Sequence, residues 1–127
     1  MLHYFQVRFE EAAGTDDKVN FAVPSALVFK SAKIVDVAGI AANASDYVTF
    51  KVLGNDQATA LAQWSTQTSA QGALTAGTSA DLVDQNKADK GLFSAGSMIE
   101  VSVTNTGSRG KACNCMIVIE FESARTY

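Results

Sequence analysis

The chain contains few of the residues that enzymes and metalloproteins use most. Its 127 residues include two cysteines, one histidine and one proline. Charged residues make up only 18 % of the sequence, and 10 Lys and Arg against 13 Asp and Glu give a formal charge of −3. A protein that neutralises nucleic-acid phosphates normally carries a basic excess. We therefore expect no nucleic-acid partner.

Long apolar runs are also missing. No stretch approaches the roughly 18 apolar residues of a membrane-spanning helix. The first eight residues, MLHYFQVR, lack the apolar run of about 7–15 residues that a signal peptide needs. We expect no membrane partner, and a chain that stays soluble or leaves the cell by another route. Its length predicts a single domain over residues 1–127.

The two cysteines, Cys113 and Cys115, stand two residues apart in a run typical of a β-strand. Such residues point to the same face about 6.5 Å apart, near the outer limit of disulfide geometry. Zinc needs four ligands, and His3 is the only histidine. We therefore expect two small buried apolar side chains, no disulfide between them, no bound metal and no cofactor.

Candidates for catalysis are few. His3 is the one neutral-pH base, and it lies on the first predicted strand, so we expect a strand-end side chain. The acidic pairs 10–11 and 16–17 lie side by side in a loop entry, and we expect a solvated turn instead of facing catalytic carboxylates. Residues 81–91 fail the EF-hand pattern, although a calcium site of another geometry stays open. We expect no enzyme; a carboxylate-only enzyme is the open alternative.

Alternation of apolar and polar residues with period two is the dominant pattern and predicts an all-β protein. A Gly-rich turn at 106–110 predicts a hairpin between the last two strands, and Gly54 to Asp56 predicts a second hairpin. A helix over 56–67 is the competing interpretation, because Ala58, Leu61, Ala62 and Ser65 share a helical face. The predicted strands are 1–10, 27–37, 47–53, 59–65, 98–105 and 113–121.

Residues 67–90 form a long polar excursion with few apolar anchors. It is too long for a structureless loop in a compact domain, so we expect short strands near 72–74 and 81–83. Together these elements give eight or nine strands separated by turns. That pattern predicts an antiparallel two-sheet sandwich of the jelly-roll or Greek-key type.

Three segments carry a family resemblance: VAGIAANASDYV at 37–48, GALTAG at 72–77 and GSMIEVSV at 96–103. Together they resemble the capsid decoration, or cement, proteins of tailed bacteriophages, which have a jelly-roll-like fold. The resemblance covers roughly residues 26–121. It consists of a Gly/Ala-rich turn leading into an aromatic-containing strand, a short L-x-A-G element and a strand that follows a glycine.

The resemblance implies a structural virion protein. Such a protein binds the outer surface of an icosahedral capsid and reinforces contacts between coat subunits. It implies the major capsid protein as partner, assembly in the host cytoplasm, and a homodimer or homotrimer. We expect the N-terminal segment 1–9 and the excursion 67–90 to make the contacts, the first by pairing as an edge strand. The partner-contact candidates are Leu2, His3, Tyr4, Phe5, Asp81, Leu82, Asp84 and Asn86.

A second function stays open at this point. A β-sandwich with exposed aromatic rings is also typical of a glycan- or receptor-binding head, such as a phage fibre tip or a lectin-like domain. The rings that could stack on a sugar are those of Trp64, Tyr47 and Tyr127. A lone tryptophan beside apolar neighbours favours the core, and this makes the glycan-binding function the alternative to capsid decoration.

Overall fold

A computed structural model describes residues 2–36, 38–85, 88–108 and 111–124. The all-β prediction is confirmed: within these residues the one helix is a single 3₁₀ turn, η1, at Ala88–Gly91. The strands are β1 Leu2–Glu11, β2 Asp17–Ala22, β3 Leu27–Asp36, β4 Tyr47–Leu53, β5 Ala60–Ser65, β6 Thr78–Asp81, β7 Val83–Asp84, β8 Leu92–Phe93, β9 Met98–Thr106 and β10 Cys113–Ser123.

The strands form two five-stranded antiparallel sheets. The first has the order β1-β10-β3-β6, with β8 also paired to β3, and the second has the order β2-β9-β4-β5-β7. Both sheets therefore take strands from the two ends and the middle of the chain. This interleaving is that of a jelly roll, in which a long antiparallel ribbon is rolled into a sandwich, and it confirms the predicted fold class.

The ribbon folds back at the β4–β5 turn. The pairs Thr49↔Ser65 and Lys33↔Asp81 are both equidistant from Gln57, which has a φ of 56° and lies in that turn. The Asp56 carboxylate accepts hydrogen bonds from the backbone N–H groups of Ala58 (3.1 Å) and Thr59 (2.9 Å). It also accepts the Thr59 hydroxyl at 2.5 Å. These bonds fix the turn from which the rest of the ribbon is paired.

The period-two alternation places one face of each long strand in the core. β10 alternates without a break, with Cys113, Cys115, Ile117, Ile119 and Phe121 buried. The two cysteines are buried and not disulfide-bonded, as predicted. At one end of the core the Phe121 ring contacts three others edge-on, with centroids 5.5 to 6.0 Å apart; these rings belong to Phe5, Phe29 and Phe93.

The predicted hairpin between the last two strands is wrong. Both strands exist, but β9 pairs with β2 and β4, whereas β10 pairs with β1 and β3. The connection after Thr106 therefore crosses from one sheet to the other. Alternation shows which face of a strand is buried, but it does not show which strand lies beside it, because both sheets face the same core.

The middle of the chain follows the predictions more closely. β4 and β5 form the predicted hairpin, so the helix alternative for 56–67 is wrong. Residues 27–36 form a strand, while Val37 lies outside the described residues. The strand predicted near 72–74 is also wrong, because Leu74 makes only an isolated bridge with Ile40.

The strand predicted near 81–83 is divided in two at a buried residue. β6 belongs to the first sheet and β7 to the second. Leu82 lies between them with its side chain in the core, and its N–H donates to the Ala32 carbonyl at 2.9 Å. Burial of this leucine marks the point at which the chain crosses between the sheets.

The Asp56 turn generates a prediction about pH. Its hydrogen bonds, first those from Thr59 and then that from Ala58, lower the pKa of Asp56 from 3.8 to about 2. A carboxyl group with a lowered pKa stabilises the native state above its unfolded pKa, and this stabilisation is lost as the pH falls through the folded pKa. Asp56→Ala should lower the Tm at pH 7, and the difference from the parent should shrink between pH 4 and pH 2. Asp56→Asn, which keeps one acceptor oxygen, should lower the Tm at pH 7 by less than Asp56→Ala does. An unchanged difference across this range would contradict the role of the charge.

A second prediction concerns Gly107, which follows β9. Its φ is +104°, and a Cβ there would collide with the Asp46 carboxylate and the Ser45 carbonyl. Gly96 has a φ of +85° but open space around its Cβ position. Gly96→Ala should lower the free energy of unfolding by about 1 kcal/mol, because of the left-handed backbone alone. Gly107→Ala, which adds the collision, should lower it by about 3 kcal/mol. Urea unfolding measures both, and equal losses would show that the close approach does not matter.

Candidate functional site

One side of the sandwich is bordered by two edge strands. β1 pairs only with β10 and β2 only with β9 among the residues that the structure describes. The short connection 12–16 joins them, so they lie one above the other at the edges of the two sheets. We call the surface formed by β1 and β2 the open side. An edge strand presents unpaired backbone N–H and C=O groups, which can pair with another chain.

An apolar groove runs along the open side, between the two edge strands. The rings of Phe5 and Phe21 meet there with centroids 5.0 Å apart. Both rings and the side chain of Val19 are only partly buried, although they pack against the core. The full lining is Phe5, Gln6, Val7, Arg8, Val19, Phe21 and Ala22. The core is therefore accessible to a partner along this side.

The outward face of β1 is polar and held to its neighbours. The Tyr4 hydroxyl donates to the Glu120 carboxylate at 2.9 Å, and this bond, together with the negative charge of Glu120, raises the pKa of Tyr4. The Arg8 guanidinium donates to Glu10 and to the Asn114 side chain, each at 2.9 Å. These contacts order the outward side chains of the edge strand.

The structure places the first group of predicted contact residues on the open side. Leu2 is 51 % exposed and Tyr4 is 60 % exposed. His3 is half-buried, with Nε2 2.9 Å from the Ser123 hydroxyl, which connects β1 to β10. Phe5 lines the groove. The partner contact of these residues stays a prediction, but their edge position is the one that the sequence predicted.

The second group lies at the opposite side of the sandwich. Asp81 is exposed on β6, the far edge of the first sheet, and Asp84 is exposed on β7, the far edge of the second. Leu82, between them, is 5 % exposed and belongs to the core, so its side chain is not presented to a partner. Asn86 lies outside the described residues. The structure therefore does not bring the two groups together.

The sequence prediction missed β2 and its contribution to the groove. Val19 and Phe21 alternate with Lys18 and Asn20, which is the same period-two signal as in β1. The run is only six residues long and mostly exposed. A strand at a sheet edge buries only part of its apolar face, and this weakens the signal in the sequence.

The acidic pairs lie mostly in solvent, as predicted: Glu10, Asp16 and Asp17 are exposed, and Glu11 is half-buried. The Glu11 carboxyl group lies near that of Asp17. A hydrogen bond to Asp17 that only protonated Glu11 can donate, with some burial and the nearby charge of Asp17, raises the pKa of Glu11. Asp16 accepts the Asn105 N–H at 2.6 Å. Across the described residues no three His, Cys, Asp or Glu side chains form a group that could hold a metal ion.

The two described aromatic residues of the glycan-binding alternative, Tyr47 and Trp64, do not form an exposed flat platform. Trp64 lies on the inward face of β5, opposite Phe50, and packs against the core. Its indole N–H donates to the Gly72 carbonyl at 3.1 Å. Tyr47 is half-buried, and Tyr127 lies outside the described residues.

Comparison with known proteins finds only distant structural similarity. No family model matches the sequence, and no curated protein matches it. Two chains from solved virus structures align with it at low scores. A chain of infectious bursal disease virus, Gx strain, aligns with 99 % of this chain at 12 % identity and a TM-score of 0.44, and this chain spans about a third (33 %) of its length. A chain of Desmodium yellow mottle tymovirus aligns with 100 % of this chain and 89 % of its own at 10 % identity and a TM-score of 0.45. Identities and scores this low say nothing about function.

No helix in the described ranges is long and apolar enough to cross a membrane.

The carboxyl pair on the open side gives a prediction with the opposite pH dependence to that of Asp56. A carboxyl group with a raised pKa stabilises the native state while it is protonated, and this contribution is lost as the pH rises through its folded value, above 4.5 for Glu11. At pH 7 Glu11 and Asp17 both carry charge and repel each other. Glu11→Gln should therefore raise the Tm at pH 7 and change it little at pH 4. Glu10→Gln, on the outward face beside Arg8, is the matched control and should not raise it. A lower Tm for Glu11→Gln at pH 7 would contradict the repulsion.

Proposed function

We propose that this chain is a structural virion protein that binds the outer surface of a tailed-phage capsid and reinforces contacts between coat subunits. Its partner is the major capsid protein, it acts as a homodimer or homotrimer, and it assembles on the capsid in the host cytoplasm. The role is mechanical and involves no catalysed reaction. The sequence resemblance to capsid decoration proteins is the origin of the proposal. The observation that supports it is the open side of the sandwich, an edge-strand surface at which a second copy or a coat subunit can pack.

The open side suits a protein that works by being packed against other proteins. Protein interfaces have an apolar centre with a polar rim. Here Phe5, Val19 and Phe21 supply apolar surface, and Tyr4 and Arg8 border it with ordered polar groups. A core held by two complete sheets makes the body rigid, so a partner that binds the edges gains a stiff support.

A binding experiment with capsids that lack this chain tests the proposal. The purified chain is mixed with such capsids and cosedimented, and bound chain is measured against coat protein. We expect saturable binding at a simple fraction of the number of coat subunits. No binding at micromolar concentration, together with hits on a glycan array, would overturn the proposal in favour of the glycan-binding alternative.

Surface variants locate the contact. Leu2→Asp with Tyr4→Asp changes exposed positions on β1, and Asp81→Lys with Asp84→Lys changes the opposite edges. Each pair should weaken capsid binding by about tenfold or more, with the circular dichroism spectrum unchanged. Thr104→Asp, at an exposed position on β9, is the control and should bind like the parent. If both pairs bind like the parent, the predicted contact residues are wrong.

A further inference from the structure

We propose that two copies of this chain associate through their open sides about a two-fold axis that passes midway between the two copies of Gln6 in β1 and close to the midpoint between the two copies of Asn20 in β2. Both sheets then continue from one copy into the other. The dimer would be the unit that binds the capsid. Only this role on the capsid rests on the proposed function.

The two edge strands, β1 and β2, are aligned with each other along the edge of the sandwich. Phe5 lies against Phe21, and the Glu11 side chain lies near that of Asp17, so β1 and β2 run past each other in opposite directions. Between these two contacts Gln6 is level with Asn20. A single two-fold axis perpendicular to the sheets can therefore pair β1 with β1 of the second copy and, at the same time, β2 with β2. Two-fold interfaces are self-complementary in this way.

β1 is complementary to β1 of a second copy. Antiparallel pairing centred on Gln6 uses residues 2–10 and places Tyr4 opposite Arg8 of the second copy, twice by symmetry. Tyr4 holds the Glu120 carboxylate at 2.9 Å, so the Arg8 guanidinium faces an aromatic ring with a negative charge behind it. Leu2 comes opposite Glu10, and Gln6 comes opposite itself. No like charges oppose each other, and cross-strand pairs of this kind stabilise a sheet.

Pairing of the two copies would also cover the apolar groove. On the inward faces the same symmetry brings Phe5 to Val7 and Val19 to Phe21 of the second copy. These four side chains from each copy, partly exposed or next to the groove in one chain, would form a continuous apolar layer. The association therefore removes from water the apolar surface that the open side leaves accessible.

A second copy fits the open side better than an extended arm of a coat protein. An arm can pair with one edge strand, but two edges held about 10 Å apart need a partner that is itself a sandwich. β1 also lacks two of the features that protect natural edge strands from pairing. It has no proline, and its register with β10 runs without a bulge from Leu2 to Glu11.

Engineered disulfides test the axis directly in the purified chain, without capsids. Gln6→Cys should form an intermolecular disulfide under mild oxidation, because opposed residues of an antiparallel pair lie within disulfide distance. Tyr4→Cys and Arg8→Cys should not cross-link alone but should form a mixed dimer when combined. Cys113 and Cys115 are buried, and the parent chain is the control for any cross-link through them.

Solution mass completes the test. Light scattering should give a dimer for the parent chain, and Val19→Asp, which puts a charge into the groove at a partly exposed position, should weaken association by about tenfold or more with the fold intact by circular dichroism. A monomer, a trimer, or a dimer without the Gln6→Cys cross-link would each overturn the inference. If Val19→Asp loses the dimer but still binds capsids, the dimer is not the unit that binds the capsid, while the two-fold association itself stands. An intact dimer that does not bind capsids overturns the proposed function alone.

Discussion

The structure depends on the antiparallel pairing of the chain with itself about the turn at Gln57. The Asp56 carboxylate closes this turn. Asn55 fixes the turn to η1 and β8 by donating its side-chain amide to the carbonyls of Asp89 and Leu92. From there the two halves of the chain run side by side, and β3 with β6 keeps the same midpoint as β4 with β5. The pairs β2 with β9 and β1 with β10 extend the same ribbon.

Rolling the ribbon also determines where the candidate site lies. The added pairs β10 with β3 and β9 with β4 turn one ribbon into two facing sheets. β1 and β2 are the outermost part of one ribbon arm, so they are left at the edges with a strand on one side only. The open side, with its Phe5 and Phe21 rings, is thus a consequence of the topology and is available for contact without any change in the fold.

The sequence predicted the parts of this fold that local chemistry controls. The alternation in β1, β4 and β10 identified their buried faces, and the turn after Gly54 identified the one hairpin that forms between neighbouring strands. It could not assign β9 and β10 to different sheets, because both strands bury an apolar face in the same core. It predicted the edge strand of the site in Leu2 to Phe5 but missed β2, whose short and exposed alternation gives a weak signal.

The proposed capsid decoration is tested by the number of copies of this chain in a particle. Particles that carry this chain are purified, and the chain is quantified against the major coat protein by mass spectrometry. The account predicts near-parity with the coat protein or a simple fraction of it set by the lattice. A handful of copies per particle, or none, would contradict it.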